Sequence, residues 1–195
     1  LSVPVDELSA RSRAIIEGGV EEGLYATPVP LQIFAYSTPL LEATHEKRLA
    51  RGGGSLLGGR ILELIRIRSA QLGECQPCMQ SRKHDSITDA DVACLIGDDR
   101  SELEPQERMA LRFLDLLSAD HHAIDADFYR EMGEVFTIAQ ILELGFTCAE
   151  TMGLHRFIHT LDVFGTDLPV LAFAVDQVDS RHRSTVIEGN HRQPG

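Results

Sequence analysis

The 195-residue chain holds no apolar run near the roughly 20 residues that a membrane-spanning helix needs. Positive charge is scarce too: 18 Lys and Arg stand against 30 Asp and Glu, and the net charge of -12 would repel a phosphate backbone and an anionic membrane surface alike. Neither nucleic acid nor a membrane is expected as a partner. Cysteine is limited to Cys75, Cys78, Cys94 and Cys148, too few and too scattered for a disulfide framework in a chain of this size. Alternating apolar and polar runs of the kind that make strands are nearly absent. The opening LSVPVDELSARSR lacks the charged-then-apolar pattern of a secretory leader. These absences leave a cytoplasmic protein with one sizeable core as the expectation.

What is present points to helices. Apolar residues recur at helical spacing, as in Leu103, Met109, Leu111, Leu114 and Leu117, and the fold class read from them is all-α. Thr88 with Asp91, Ser101 with Glu104 and Thr137 with Gln140 have the spacing in which side chains satisfy the free amides of a first turn. The pattern predicts helices over about 6–22, 30–50, 59–72, 75–86, 88–96, 104–118, 125–133 and 137–163. YATPVP, RGGGSLLGG and IGDDRSELEP read as turns and loops between them. The Gly52-Gly53-Gly54 run lacks the GK[ST] ending and preceding strand of a phosphate cradle, so it reads as a connector. Residues 1–164 read as a single domain and 165–195 as a tail or an arm for a neighbouring subunit. The stretch from Thr137 to Gly165 is apolar on more than one face, which predicts central burial or a homo-oligomer.

The chemistry concentrates in GECQPCMQSRKHD, Gly73 to Asp85. A structural zinc site would need two more ligands near this CxxC, and none flanks it; His155 and His159 have i, i+4 spacing but lie about eighty residues on. Those two histidines read as ordinary helix-face residues, and neither metal nor cofactor is expected. A redox pair fits better. If a helix opens at Cys75, free backbone amides and the helix dipole favour its thiolate, Pro77 suits the first turn, and Cys75 is the more exposed sulfur. Folding 59–86 as a hairpin at Gly73 and Glu74 brings Glu63 opposite Arg82 and His84, where the carboxylate either accepts a thiol proton or clamps two helices through arginine. Cys94 and Cys148, among apolar neighbours, read as buried small hydrophobes. His121, His122 and His45 read as solvent-facing.

The run from Glu63 to Asp85, with Cys75 twelve residues after Glu63 and Cys78 three further on, resembles the core motif of the alkyl hydroperoxidase D-like family, which includes carboxymuconolactone decarboxylases. The likeness covers about residues 30–164. It implies an all-α multi-helix bundle with the CxxC at a helix N-terminus, assembled as dimers, trimers or hexamers. It also implies a thiol peroxidase or disulfide reductase activity, acting on a hydroperoxide or disulfide substrate and reset by an external thiol reductant. By position Glu63 matches the proton-relay glutamate, and Cys75 and Cys78 match the redox pair. The chain departs where the best-understood members carry histidine, just before the second cysteine and four residues after it: Pro77 and Arg82 stand there. Arg82 cannot shuttle protons at physiological pH but can favour a thiolate by charge, and His84 would point off that helix face. The site residues expected are therefore Cys75, Cys78, Glu63, Arg82 and His84. Two alternatives stay open: a helical oligomeric binding protein with inert or regulatory cysteines, and a carboxymuconolactone decarboxylase-like lyase whose acid substrate would meet Arg66, Arg68 or Arg82.

Overall fold

A computed structural model describes residues 3–22, 24–25, 28–75, 78–79, 84, 86–96 and 100–161. Among them the chain is all helical, with eight α-helices and no strand. The expected tail beyond residue 164 lies outside the described residues.

After a short 3-10 turn at Val5–Glu7, α1 (Ala10–Glu21) starts where Ser9 accepts the Ser12 amide at 3.0 Å, which satisfies one free donor of the first turn. The single helix expected over 30–50 is in fact two, α2 (Val29–Phe34) and α3 (Thr38–Gly54). Pro39 explains the division. It has no amide hydrogen and its ring clashes with a preceding turn, so it fits the first turn of α3 but not the interior of a continuous helix. The connector expected at Gly52 to Gly54 is instead the last turn of α3. Glycine weakens a helix by only about 1 kcal/mol per residue. The end is set just beyond, where Ser55 Oγ donates to Glu143 at 2.5 Å and the Leu56 amide donates to the same carboxylate at 2.9 Å.

The remaining helices are α4 (Gly58–Leu72), α5 (Asp89–Ile96), α6 (Pro105–Ala119), α7 (Ala126–Gly133) and α8 (Ile138–Leu161). Two predicted caps form as read. The Thr88 amide donates to Asp91 at 2.7 Å and the Asp91 amide to Thr88 Oγ1 at 3.2 Å, while Thr137 and Gln140 make the same exchange at 2.9 and 3.3 Å. The third is displaced. Pro105 occupies the first turn of α6, so its cap is Glu104, paired reciprocally with Glu107, and not Ser101.

Helix α4 is the hub, packed on α8, α6 and α5. Its Ile65 joins Leu114, Phe128, Met132, Leu144 and Cys148 in the main core, while Leu64 and Ile67 join Leu95, Leu103 and Leu111 in a second one. A third cluster, with Ile15, Ile16, Leu31 and Leu41, holds α1 to α3. Because α4 is covered on several sides, its polar side chains Glu63, Arg66 and Ser69 are buried as well, and each must find partners inside the protein.

At its other end α4 is anchored by Arg60, which donates to Asp91 at 2.6 Å and to Glu107 at 2.7 Å. The Arg60 hydrogen bond, aided by those from Thr88, holds the Asp91 carboxyl well below the usual carboxylate range. A depressed carboxyl contributes stability that is fully present above its unfolded value of about 4 and is lost as pH falls from there. Asp91→Asn is therefore expected to cost about 2 kcal/mol at pH 7, with the gap to wild type narrowing as pH falls below about 4. Urea unfolding at pH 7 and pH 3 checks this, and a gap of constant size would contradict it.

Candidate redox site

The site is built at the exit from α4. The Cys75 amide donates to the Ala70 carbonyl at 3.0 Å and the Glu74 amide to the Gln71 carbonyl at 3.2 Å, the crossed pair of a Schellman helix end. Glu74 occupies its left-handed position at φ 53, a place that suits glycine. Gly73 is required for a different reason. A Cβ there would lie 3.0 Å from the His155 Cβ and 3.2 Å from the Arg156 nitrogen, so α8 presses directly on this turn. Since a left-handed non-glycine residue costs about 1 kcal/mol or more, Glu74→Gly is expected to raise the melting temperature or leave it unchanged, whereas Gly73→Ala lowers it. Thermal unfolding followed by circular dichroism checks both; a Glu74→Gly variant clearly less stable than wild type would contradict the reading.

Cys75 is thus the last residue of one helix end and the first of the next: its carbonyl accepts the Met79 amide at 3.0 Å, opening a turn in which Cys78 and Met79 are helical. The two cysteines are joined by a disulfide, with their Cα atoms 5.2 Å apart. The exposure is the reverse of the sequence expectation. Cys75 is only 3% exposed and Cys78 is half-buried, because the Schellman geometry turns its last residue back against the helix it terminates.

Glu63 is buried, and among the described residues Arg66, one turn along the same helix, meets it. Arg66 donates Nε to one carboxylate oxygen at 2.7 Å and a terminal nitrogen to the other at 2.8 Å, a bidentate pair, and its second terminal nitrogen donates to the Cys78 carbonyl at 2.6 Å. One guanidinium therefore links the carboxylate of α4 to the backbone of the cysteine turn. The expected Arg82 partner lies outside the described residues. The i, i+3 spacing of Glu63 and Arg66 was the available signal.

The described residues beyond the turn return along α4, since Arg66 meets the Cys78 carbonyl and the His84 ring lies over Gly59, where an added Cβ would come within 2.5 Å of it, while most of the helix expected over 75–86 lies outside the described residues. His84 is exposed, paired with Ser86 through Nδ1 at 2.7 Å, and about 10 Å along α4 from the residue that meets Cys78. It is not brought to the cysteines. Arg82, Pro77 and Gln76 lie outside the described residues. Arg68, a candidate for an acid-binding pocket, is paired with Asp115 at 2.7 Å, which Arg100 also holds.

The histidines of α8 separate. His155 is buried with Nδ1 2.9 Å from Ser69 Oγ, whereas the half-exposed His159 faces Glu74 at 3.9 Å. Among the described residues no group of three or more His, Cys, Asp or Glu is placed to hold a metal ion. Cys148 is buried as expected, and burial pushes its thiol up to about 12. Cys94 is half-buried, turned about 100° from the buried Leu95. His121 and His122 are exposed, but His45 is half-buried and meets the Tyr25 hydroxyl at 3.1 Å.

At the far end of α8, an open apolar pocket of about 560 Å³ is lined by Tyr129, Phe136, Ile138, Ile141 and Leu142. It lies about 20 Å along the helix from His155. The same end carries exposed Ile138, Leu142 and Phe146, so the apolar face expected to need cover is bare on this side. No single helix among the described residues is long and apolar enough to cross a membrane. In comparisons with known proteins, no family model, curated protein or solved structure matches the chain.

Proposed function

We propose that the protein is a thiol-dependent peroxidase or disulfide oxidoreductase that cycles Cys75 and Cys78 between dithiol and disulfide. The observation that carries this reading is the guanidinium of Arg66, held by buried Glu63 and bonded to the Cys78 backbone next to a bonded cysteine pair. A fixed cation beside a thiol favours the thiolate, the form that acts as nucleophile. Cys78 is the attacking residue in this scheme, as the more exposed residue of the pair and the one whose backbone the cation holds.

The Cys78 thiolate attacks a hydroperoxide oxygen. An S–O bond forms as the O–O bond breaks, and the alkoxide leaves as an alcohol after taking up a proton. The Cys75 thiolate then attacks the Cys78 sulfur, forming the disulfide and releasing the sulfenic oxygen as water with the proton that Cys75 gives up. An external dithiol, or two monothiols, returns the pair to its reduced form and is itself oxidised. A reducing cytoplasm would supply that reductant. In this scheme the Arg66 guanidinium acts through its charge, and Glu63 fixes its position without carrying the proton.

The experiment is hydroperoxide consumption by reduced protein with a thiol reductant in excess. Turnover that depends on both cysteines supports the reading, and its absence with intact thiols defeats it. A second reading, a helical protein that binds a small apolar ligand with the cysteines inert, is favoured by the pocket between α7 and α8. Saturable binding of an apolar fluorescent probe, lost in Phe136→Ser, together with unreactive thiols would establish it instead. Assembly as a homo-oligomer belongs to the same proposal, with the exposed Ile138, Leu142 and Phe146 as its surface. Light scattering at micromolar concentration tests it.

A further inference from the structure

Three buried side chains that can pass a proton belong to the end of α4 and the part of α8 packed on it. Cys75 is 3% exposed, Ser69 0% and His155 7%. Ser69 Oγ and His155 Nδ1 are 2.9 Å apart, and the His155 Cβ lies within 3.0 Å of where a Cβ on Gly73 would be. In a Schellman end, the last residue commonly packs its side chain on the residues five and six positions earlier. Here the last residue is Cys75, and the other two are Ala70 and Ser69. That packing directs the Cys75 side chain toward the turn of α4 that carries the buried Ser69–His155 pair.

We propose that Ser69 and His155 form a buried proton relay for Cys75. It serves the step in which Cys75 attacks the sulfur of Cys78, and it rests on the redox reading above. The Cys75 thiol gives its proton to Ser69 Oγ, while the Ser69 hydroxyl proton passes to His155 Nδ1. The freed Cys75 electron pair forms the S–S bond, and the group on Cys78 leaves with the electrons of the broken bond. The relay fills a chemical need that Arg66 does not meet, since a guanidinium does not accept protons and its hydrogen bond goes to the Cys78 side of the pair. Histidine is the side chain whose proton affinity lies nearest neutrality.

Charged groups described on α8, α4 and the segments beside them have partners of their own. Arg156 donates to Ser118 of α6 at 2.6 Å, Arg68 and Arg100 share Asp115, and Glu74 faces His159. On α4, Glu63 and Arg66 bind each other and Cys78. From α4, the neutral Ser69 hydroxyl meets His155 Nδ1 at 2.9 Å.

The test uses no peroxide. Reduced full-length protein carrying Cys94→Ser is mixed with less than one equivalent of 5,5′-dithiobis(2-nitrobenzoate), and release of the coloured thiolate is followed by stopped flow from pH 6 to 10. Attack by Cys78 releases the first thiolate and forms a mixed disulfide. Attack by Cys75 on that mixed disulfide releases the second. At pH 7 the second release is expected to be at least about tenfold slower in both Ser69→Ala and His155→Asn, with the first release unchanged. The difference should close as pH approaches 10, where the Cys75 thiolate forms unaided. Ser69→Ala removes only a hydroxyl. The asparagine amide can keep the hydrogen bond to Ser69 but cannot take its proton, so wild-type closure rates in His155→Asn would mean a purely structural histidine and would overturn the relay. A wild-type protein that shows no second release would overturn it as well. Histidine-dependent closure in a protein that hydroperoxide leaves reduced would support the relay while removing the peroxidase reading.

Discussion

Cys78→Ser is expected to lose hydroperoxide turnover by at least about a thousandfold, because a serine hydroxyl has no anionic form near neutral pH to replace the thiolate. Cys75→Ser should fail differently. Its Cys78 remains beside Arg66, so the first oxidation proceeds, and the sulfenic acid then persists for want of the second sulfur. Mass spectrometry after one equivalent of hydroperoxide separates the two, with a trappable sulfenic acid in Cys75→Ser and none in Cys78→Ser. If the patterns are exchanged, Cys75 is the attacking residue and the assignment drawn from exposure and from Arg66 is wrong.

Arg66→Met should be the most destabilising single change at the site, at about 3–5 kcal/mol, because it leaves the buried Glu63 carboxylate without that guanidinium. It also removes the donor to the Cys78 carbonyl. The double variant Glu63→Leu/Arg66→Met should recover most of the stability, since replacing a buried ion pair with apolar groups is often close to neutral. Its Cys78 thiol should nevertheless react more slowly at pH 7, having lost the neighbouring cation. Urea unfolding and alkylation rates on the same preparations check the two halves. A double variant that is stable and as reactive as wild type would show that the ion pair only ties the fold together.

Local chemistry made much of the fold readable from the residues. Thr88 and Thr137 start helices because their side chains meet donors three residues away, and the return of Cys78 to α4 past Gly73 follows from apolar spacing and a turn. Errors arose where one residue overrides a pattern. Pro39 divides an apolar run that otherwise reads as one helix, and Pro105 moves a cap from Ser101 to Glu104. Gly52 to Gly54 continue a helix because their neighbours are held by Glu143, a residue 87 positions beyond Leu56.

The site was legible in part for the same reason. Spacing brought Glu63 and the cysteine pair together, but the burial of Cys75 depends on how α4 ends, which a reading of Cys75 as a helix start overlooks. Arg66 lay within reach of sequence reasoning as the i+3 neighbour of Glu63. His155 did not, since its place beside Ser69 is set by the packing of α8 on α4 across 86 positions.

The central claim is that Cys78 is an activated thiol whose oxidation is completed by Cys75. Its most direct measurement is the pH dependence of alkylation at each cysteine in reduced protein, read by mass spectrometry and repeated after one equivalent of an organic hydroperoxide. The account predicts that Cys78 titrates well below the free value of about 8.5, and that hydroperoxide converts the pair to the Cys75–Cys78 disulfide with one alcohol formed per disulfide. A Cys78 that titrates at its free value, in a protein whose thiols survive the hydroperoxide, would contradict it.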